Sequence, residues 1–173
     1  MHVRNAVPID TPRRLIDQAL NDVAAGSLAR AQARADSASR LAREFLSLPA
    51  NATANRFGQA ADFHTVLGMA LAINGQAVEA VRAGEQAIAM NPSSRDASEG
   101  PRSVDGLIAI HLILGQREAA IRLIIEQAHA PVTISSPLTI SRASLRLEPL
   151  FDGVRDDPRI QALLNNDAAW VVR

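Results

Sequence analysis

Leu67-Gly68-Met69-Ala70-Leu71-Ala72-Ile73-Asn74-Gly75-Gln76, with Ala80, Gly84, Ala87 and Pro92 after it, spells two helices and the corner between them. Leu67 is an inward position, and Gly68 lets a second helix approach closely. Asn74-Gly75 ends the first helix where a left-handed residue costs little. Ala80 and Ala87 keep the second helix slim at the crossing, and Pro92 stops it after Asn91. A generic alanine-rich pair of helices would keep the apolar spacing, with no reason to combine the glycine, both alanines and the proline.

The register recurs. From Pro101 the chain supplies Leu107, His111, Gly115-Gln116, Ala120 and Ile124, with Gln127 in the place of Ala87. Gly75 and Gly115 lie 40 residues apart. The surplus over a period of about 34 residues falls in the polar segment Ser93 to Gly100, where insertions belong. Upstream, Gly26-Ser27-Leu28-Ala29-Arg30-Ala31 with Ala38 is similar to the corner and second helix of a third copy. The pattern as a whole resembles the tetratricopeptide (TPR) repeat. That resemblance implies an all-α fold, a TPR-like right-handed superhelix of antiparallel helical hairpins whose grooves hold other polypeptides.

Towards the end, Leu145-Arg146-Leu147-Glu148-Pro149, Arg155-Asp156-Asp157-Pro158-Arg159 and Gln161-Ala162-Leu163-Leu164 resemble the tail of a family of bacterial TPR regions. In that family the regions sit behind a serine/threonine kinase, a winged-helix DNA-binding or a nucleotide cyclase domain. Ser94-Arg95-Asp96-Ala97 and Gly100-Pro101 fit its inter-repeat loop, and the resemblance spans roughly residues 28–165. Departures are Leu150-Phe151 where the family has an aromatic directly after the proline, Ile160 for phenylalanine and Glu148 for Asp. Ala143-Ser144 also replace a more apolar pair.

Local patterns set the boundaries. Thr11-Pro12 is a helix start, and Leu15, Ile16, Ala19, Leu20 and Val23 form an apolar stripe running to about Gly26. A second helix runs from Ser27 to about Leu48, and Pro49 to Arg56 is linker. Ser136-Pro137 and Asp157-Pro158 predict short helices over Leu138 to Leu147 and Arg159 to Asn165, with Pro149 to Gly153 as a tight turn. The expected organisation is a tail over 1–10 and one domain over 11–173. Its hairpins fall at about 11–48, 58–92 and 101–129, with a C-terminal helical cap at 136–166.

With 173 residues, 47% of them hydrophobic, the chain can build one core. Aromatics are only 3% and tyrosine is absent, so that core is made of Ala, Leu, Ile and Val at close helix spacing. Eighteen basic and eighteen acidic residues cancel, and lysine does not occur. Net neutrality argues against nucleic acid as a partner, since counterion displacement needs an excess of basic residues. Arg30, Arg34, Arg40 and Arg43 are interleaved with Asp36 and Glu44 and read as a solvated, partly paired face. Without cysteine there is no disulfide or thiolate metal site. Met1-His2-Val3-Arg4-Asn5 lacks a signal peptide's apolar core and no apolar run reaches bilayer length; the expectation is a cytoplasmic chain with no membrane partner.

Motifs for chemistry are missing. There is no glycine-rich phosphate loop, no GxSxG elbow, no HExxH motif and no lysine to contact phosphate, so the chain reads as no enzyme, with no cofactor and no metal. His64 and His111 fall on corresponding first-helix faces, as packing residues or as a pair of ligands; packing is the simpler role. Asp156-Asp157 could hold a cation, but Asp157 already has a capping role before Pro158.

The TPR resemblance implies a concave face built from first helices. It assigns partner contacts to Asp62, Thr65, Met69 and Ile73 in one repeat, and to Arg102, Asp105, Ala109 and Leu112 in the next. Thr65 and Met69 cannot form the carboxylate clamp of chaperone-tail TPRs, which leaves a mixed apolar and polar groove. Arg95 and Arg102 are candidates for an acidic partner group. The expected function is protein or peptide binding in bacterial signalling. Alternatives are a C-terminal remnant of a kinase or transcription regulator, and a self-associating structural protein. In the last, Ala168-Ala169-Trp170-Val171-Val172 docks on another subunit to give a homo-oligomer, or instead folds back over the last hairpin.

Overall fold

A computed structural model describes residues 8–48, 59–95, 100–128, 139–166 and 170. Among the described residues the chain is helical, without a strand. Six longer helices form three hairpins: α1 (Asp10–Ala24) with α2 (Leu28–Leu46), α3 (Gln59–Ile73) with α4 (Ala77–Met90), and α5 (Gly100–Ile113) with α6 (Arg117–Ala128). The chain ends in α7 (Arg142–Leu147), a 3-10 turn (Pro149–Phe151), α8 (Asp152–Arg155) and α9 (Pro158–Asn165). Hairpins stack in sequence order, α2 against α3 and both α3 and α4 against α5.

All three corners have one geometry. Gly26, Gly75 and Gly115 are left-handed, at φ of 71°, 75° and 68°. The Gly75 N–H donates to the Ala72 carbonyl at 2.9 Å, and the Gln76 N–H reaches back to Leu71 at 2.9 Å. Gly26 and Ser27 bond Val23 and Asp22 in the same way, and Gly115 and Gln116 bond Leu112 and His111. Each pair of bonds satisfies carbonyls that a helix end would otherwise leave open, in a conformation where a Cβ is costly.

Small residues then bring the helices together. A Cβ on Gly68 would lie 2.5 Å from Ile110 Cδ1 and 3.0 Å from the Ala80 carbonyl oxygen, so α3, α4 and α5 meet where that glycine stands. Between the first and second hairpins Phe45 and Phe63 stack, with ring centroids 3.8 Å apart. One apolar cluster fills the first two hairpins and reaches Ala109 and Ile110 on α5. A second gathers Ile108, Ile121 and Ile124 with Ile140, Leu145, Phe151, Val154 and Ile160 from the C-terminal segment. Leu150 packs against both.

Several local expectations are corrected. Helix α1 starts at Asp10 rather than at Thr11-Pro12; the Thr11 N–H bonds the Pro8 carbonyl, so the first turn begins one step earlier. The Pro149 to Gly153 segment is helical, running from the 3-10 turn directly into α8. Residues 139–141 are not helical, and α7 begins at Arg142. There Ser141 caps through the Ser144 N–H at 3.0 Å, Ser144 Oγ accepts the Ser141 N–H, and Ser144 Oγ also donates to Thr139 O at 2.7 Å. Asp157 caps α9 as expected, its Oδ1 accepting the Arg159 N–H at 3.0 Å. The expected tail start at 1–7, the linker at 49–56 and Ser136-Pro137 lie outside the described residues. Trp170 folds back: its Nε1 donates to the Leu163 carbonyl at 2.9 Å and its ring packs on the second cluster.

Candidate functional site

The first helices α1, α3 and α5 share one face, and the ion pairs across it fix their register. Asp62 on α3 pairs with Arg13 on α1 at 3.1 Å and with Arg102 on α5 at 3.6 Å, so one carboxylate joins three helices near their N-terminal ends. Toward the C-terminal ends of α1 and α5, about 15 Å further along at 1.5 Å per residue, the face opens into a cleft of about 490 Å³. Leu20, Val23 and Ala24 of α1 form one wall, and Leu112 and Ile113 of α5 with Pro149, Leu150 and Phe151 form the other. Asp17, Asn21 and Glu148 supply its polar groups. Burial raises the Asp17 carboxyl above its ordinary value, against the lowering pull of the Arg13 charge.

The expected site residues divide in two. Asp62 and Arg102 meet in the crosspiece, and Leu112 lines the cleft. Thr65 is half-buried against α5, where a Cβ on Gly106 would approach its Cγ2 to 2.4 Å. Met69, Ile73, Asp105 and Ala109 are buried, which corrects their assignment to an open groove. For Met69 and Ile73 the cause is helix α3, wedged between α2, α4 and α5 so that its groove stripe is also core; Asp105 and Ala109 lie on α5, which packs on α3, α4 and α6. Arg95 is exposed on the loop after α4.

Asp105 has a separate role. Only 4% exposed, it accepts hydrogen bonds from the Ile140 backbone and the Gln127 side chain, joining α5, α6 and the C-terminal segment. Its Oδ1 has no hydrogen-bond partner, and burial pushes its pKa up to about 7 despite those bonds and the Arg102 charge. Gln127 Nε2 also donates to the Pro101 carbonyl at 3.2 Å.

His64 and His111 are not paired. His111 is buried with Nδ1 2.6 Å from Gln116 Oε1, whereas His64 is half-buried and burial lowers its pKa. Asp157 is held by Arg159 and Arg117, and Arg159 bridges it to Glu118 at 2.9 Å; these contacts keep both carboxyls below their ordinary range. Arg30 and Arg34 on α2 pair with Asp22 on α1. Asp36 accepts instead from Asn74 at 2.7 Å.

Sequence reasoning missed Arg13, Asp17 and Leu20 on α1 and Pro149 to Phe151 as parts of one face. The apolar stripe of α1 carried a usable sign, because Leu20 and Val23 continue past what one partner helix can cover. Among the described residues no helix is long and apolar enough to cross a membrane. No protein-family model, curated protein or solved structure matches the chain.

Proposed function

We propose that this chain is a non-catalytic protein-interaction module of bacterial signalling, a TPR-like right-handed stack that holds a peptide segment on its first-helix face. The carrying observation is the cleft of about 490 Å³ at one end of that face, apolar on both walls and acidic at Asp17 and Glu148. Such a cleft favours an apolar side chain next to a cation, the side chain leaving water and the cation meeting the carboxylates. The Arg13–Asp62–Arg102 crosspiece at the other end orients the rest of the segment through charge. Three like corners and the glycine contacts between helices support the repeat reading. The fold-back of Trp170 favours the module over an assembly docked through that residue.

Selection of displayed random peptides on the immobilised protein tests this. Enriched sequences should place Lys or Arg beside a Leu, Ile, Met or Phe, and enrichment should vanish with a folded Asp17→Arg/Leu20→Glu variant. No enrichment, or the same sequences from the variant, would overturn the reading.

A further inference from the structure

A second cleft, of about 520 Å³, shares no residue with the first and has the opposite charge character. It lies between the second helices α2 and α4, over α3. Leu67, Leu71 and Ala83 form its apolar floor, and Arg43, Arg82, His64, Gln86 and Glu79 supply its polar walls. Arg43 and Arg82 are exposed and come from different helices. Among the described residues neither makes an ion pair or side-chain hydrogen bond, unlike Arg30 and Arg34 of the same helix α2, which are committed to Asp22. Glu79 is the lining carboxylate, and it pairs with neither guanidinium.

Two open guanidinium forks beside an apolar floor are complementary to a ligand that is itself divided. Each fork presents planar donors matched to a carboxylate, and half-buried Leu67, backed by the nearly closed Leu71 and Ala83, offers surface to a hydrocarbon body. A bare anion would leave that floor wet, and a neutral apolar molecule would leave both arginines unanswered. We propose that the α2–α4 cleft is a second binding site, for a small amphipathic carboxylate, its apolar body on Leu67, Leu71 and Ala83 and its carboxylate between Arg43 and Arg82. The ligand would tie the first hairpin to the second. Burial keeps the His64 imidazole neutral to lower pH than usual, so near neutrality it serves as a hydrogen-bonding group.

Titration calorimetry with octanoate, 1-octanol and inorganic phosphate tests the site. Octanoate should bind saturably at one site. Octanol and phosphate should each bind at least about ten-fold more weakly, the scale of one charge-assisted contact. Arg43→Gln and Arg82→Gln replace exposed side chains and should fold, as circular dichroism will verify; each should weaken octanoate at least about ten-fold. Absence of octanoate binding, equal binding of octanol or phosphate, or unchanged octanoate affinity in both variants would overturn the proposal. The outcome is independent of peptide binding at the first-helix cleft.

Discussion

Asp105 shows what one buried carboxylate does to a small helical protein. Its folded pKa, about 7, stands above the ordinary 3.8, so between those values the folded chain keeps a proton that the unfolded chain has released. Stability from this group is therefore greatest in acid and falls as pH rises through that window, by at most about 1.4 kcal/mol per unit. His64 acts with the opposite sign: its lowered pKa means that the unfolded chain takes up the proton first, which destabilises the fold below about 6.5. Asp105→Asn separates the two. Its melting temperature relative to wild type should rise from about pH 4 to pH 7 and level off above that, and a pH-independent difference would refute the assignment. Gly106 makes a second prediction. A methyl there meets Thr65 Cγ2 at 2.4 Å and Oγ1 at 3.1 Å, and Thr65 is β-branched and stiff. Gly106→Ala should cost roughly 1–3 kcal/mol through overpacking. Adding Thr65→Ala should recover part of that loss in a double-mutant cycle of denaturant unfolding; simple additivity would contradict the contact.

The helices owe their ends to corner chemistry, and this is where the sequence was most legible. Asn74-Gly75 and Gly115-Gln116 announced left-handed corners, and Pro92 and Asp157-Pro158 announced a stop and a start, because each residue type has a backbone preference that holds without its neighbours. Nothing lies within 4 Å of a Cβ placed on Gly115, so Gly115→Ala should cost about 1–2 kcal/mol from conformation alone. Gly115→Asn, which tolerates that conformation better, should cost less; equal losses in thermal unfolding would show another cause. Legibility failed where a choice depended on packing. Ser141 and Ser144 cap the start of α7 reciprocally, and Ser144 also binds Thr139 O, a contact that no local pattern displays. The candidate site failed for a related reason: the groove stripe on α3 could be counted by period, but Met69 and Ile73 are covered by neighbouring helices whose approach Gly68, Gly84 and Gly106 set.

At the scale of the whole molecule, the described chain has two apolar clusters joined through α5 and Leu150. That joint also shapes the surface, because the segment that closes the second cluster, Pro149 to Phe151, forms a wall of the first-helix cleft. The C-terminal helices thus cover the last hairpin and also shape the first-helix cleft. The two clefts differ in charge, carboxylates lining one and mainly arginines the other, so on the proposals above they would sort ligands by charge. The most direct test is methyl NMR of the protein titrated with a peptide enriched in the display selection. The account predicts shifts at Leu20, Val23, Leu112, Ile113 and Leu150, with Leu67 and Leu71 unmoved. Shifts at Leu67 and Leu71 without any at the first group would contradict it.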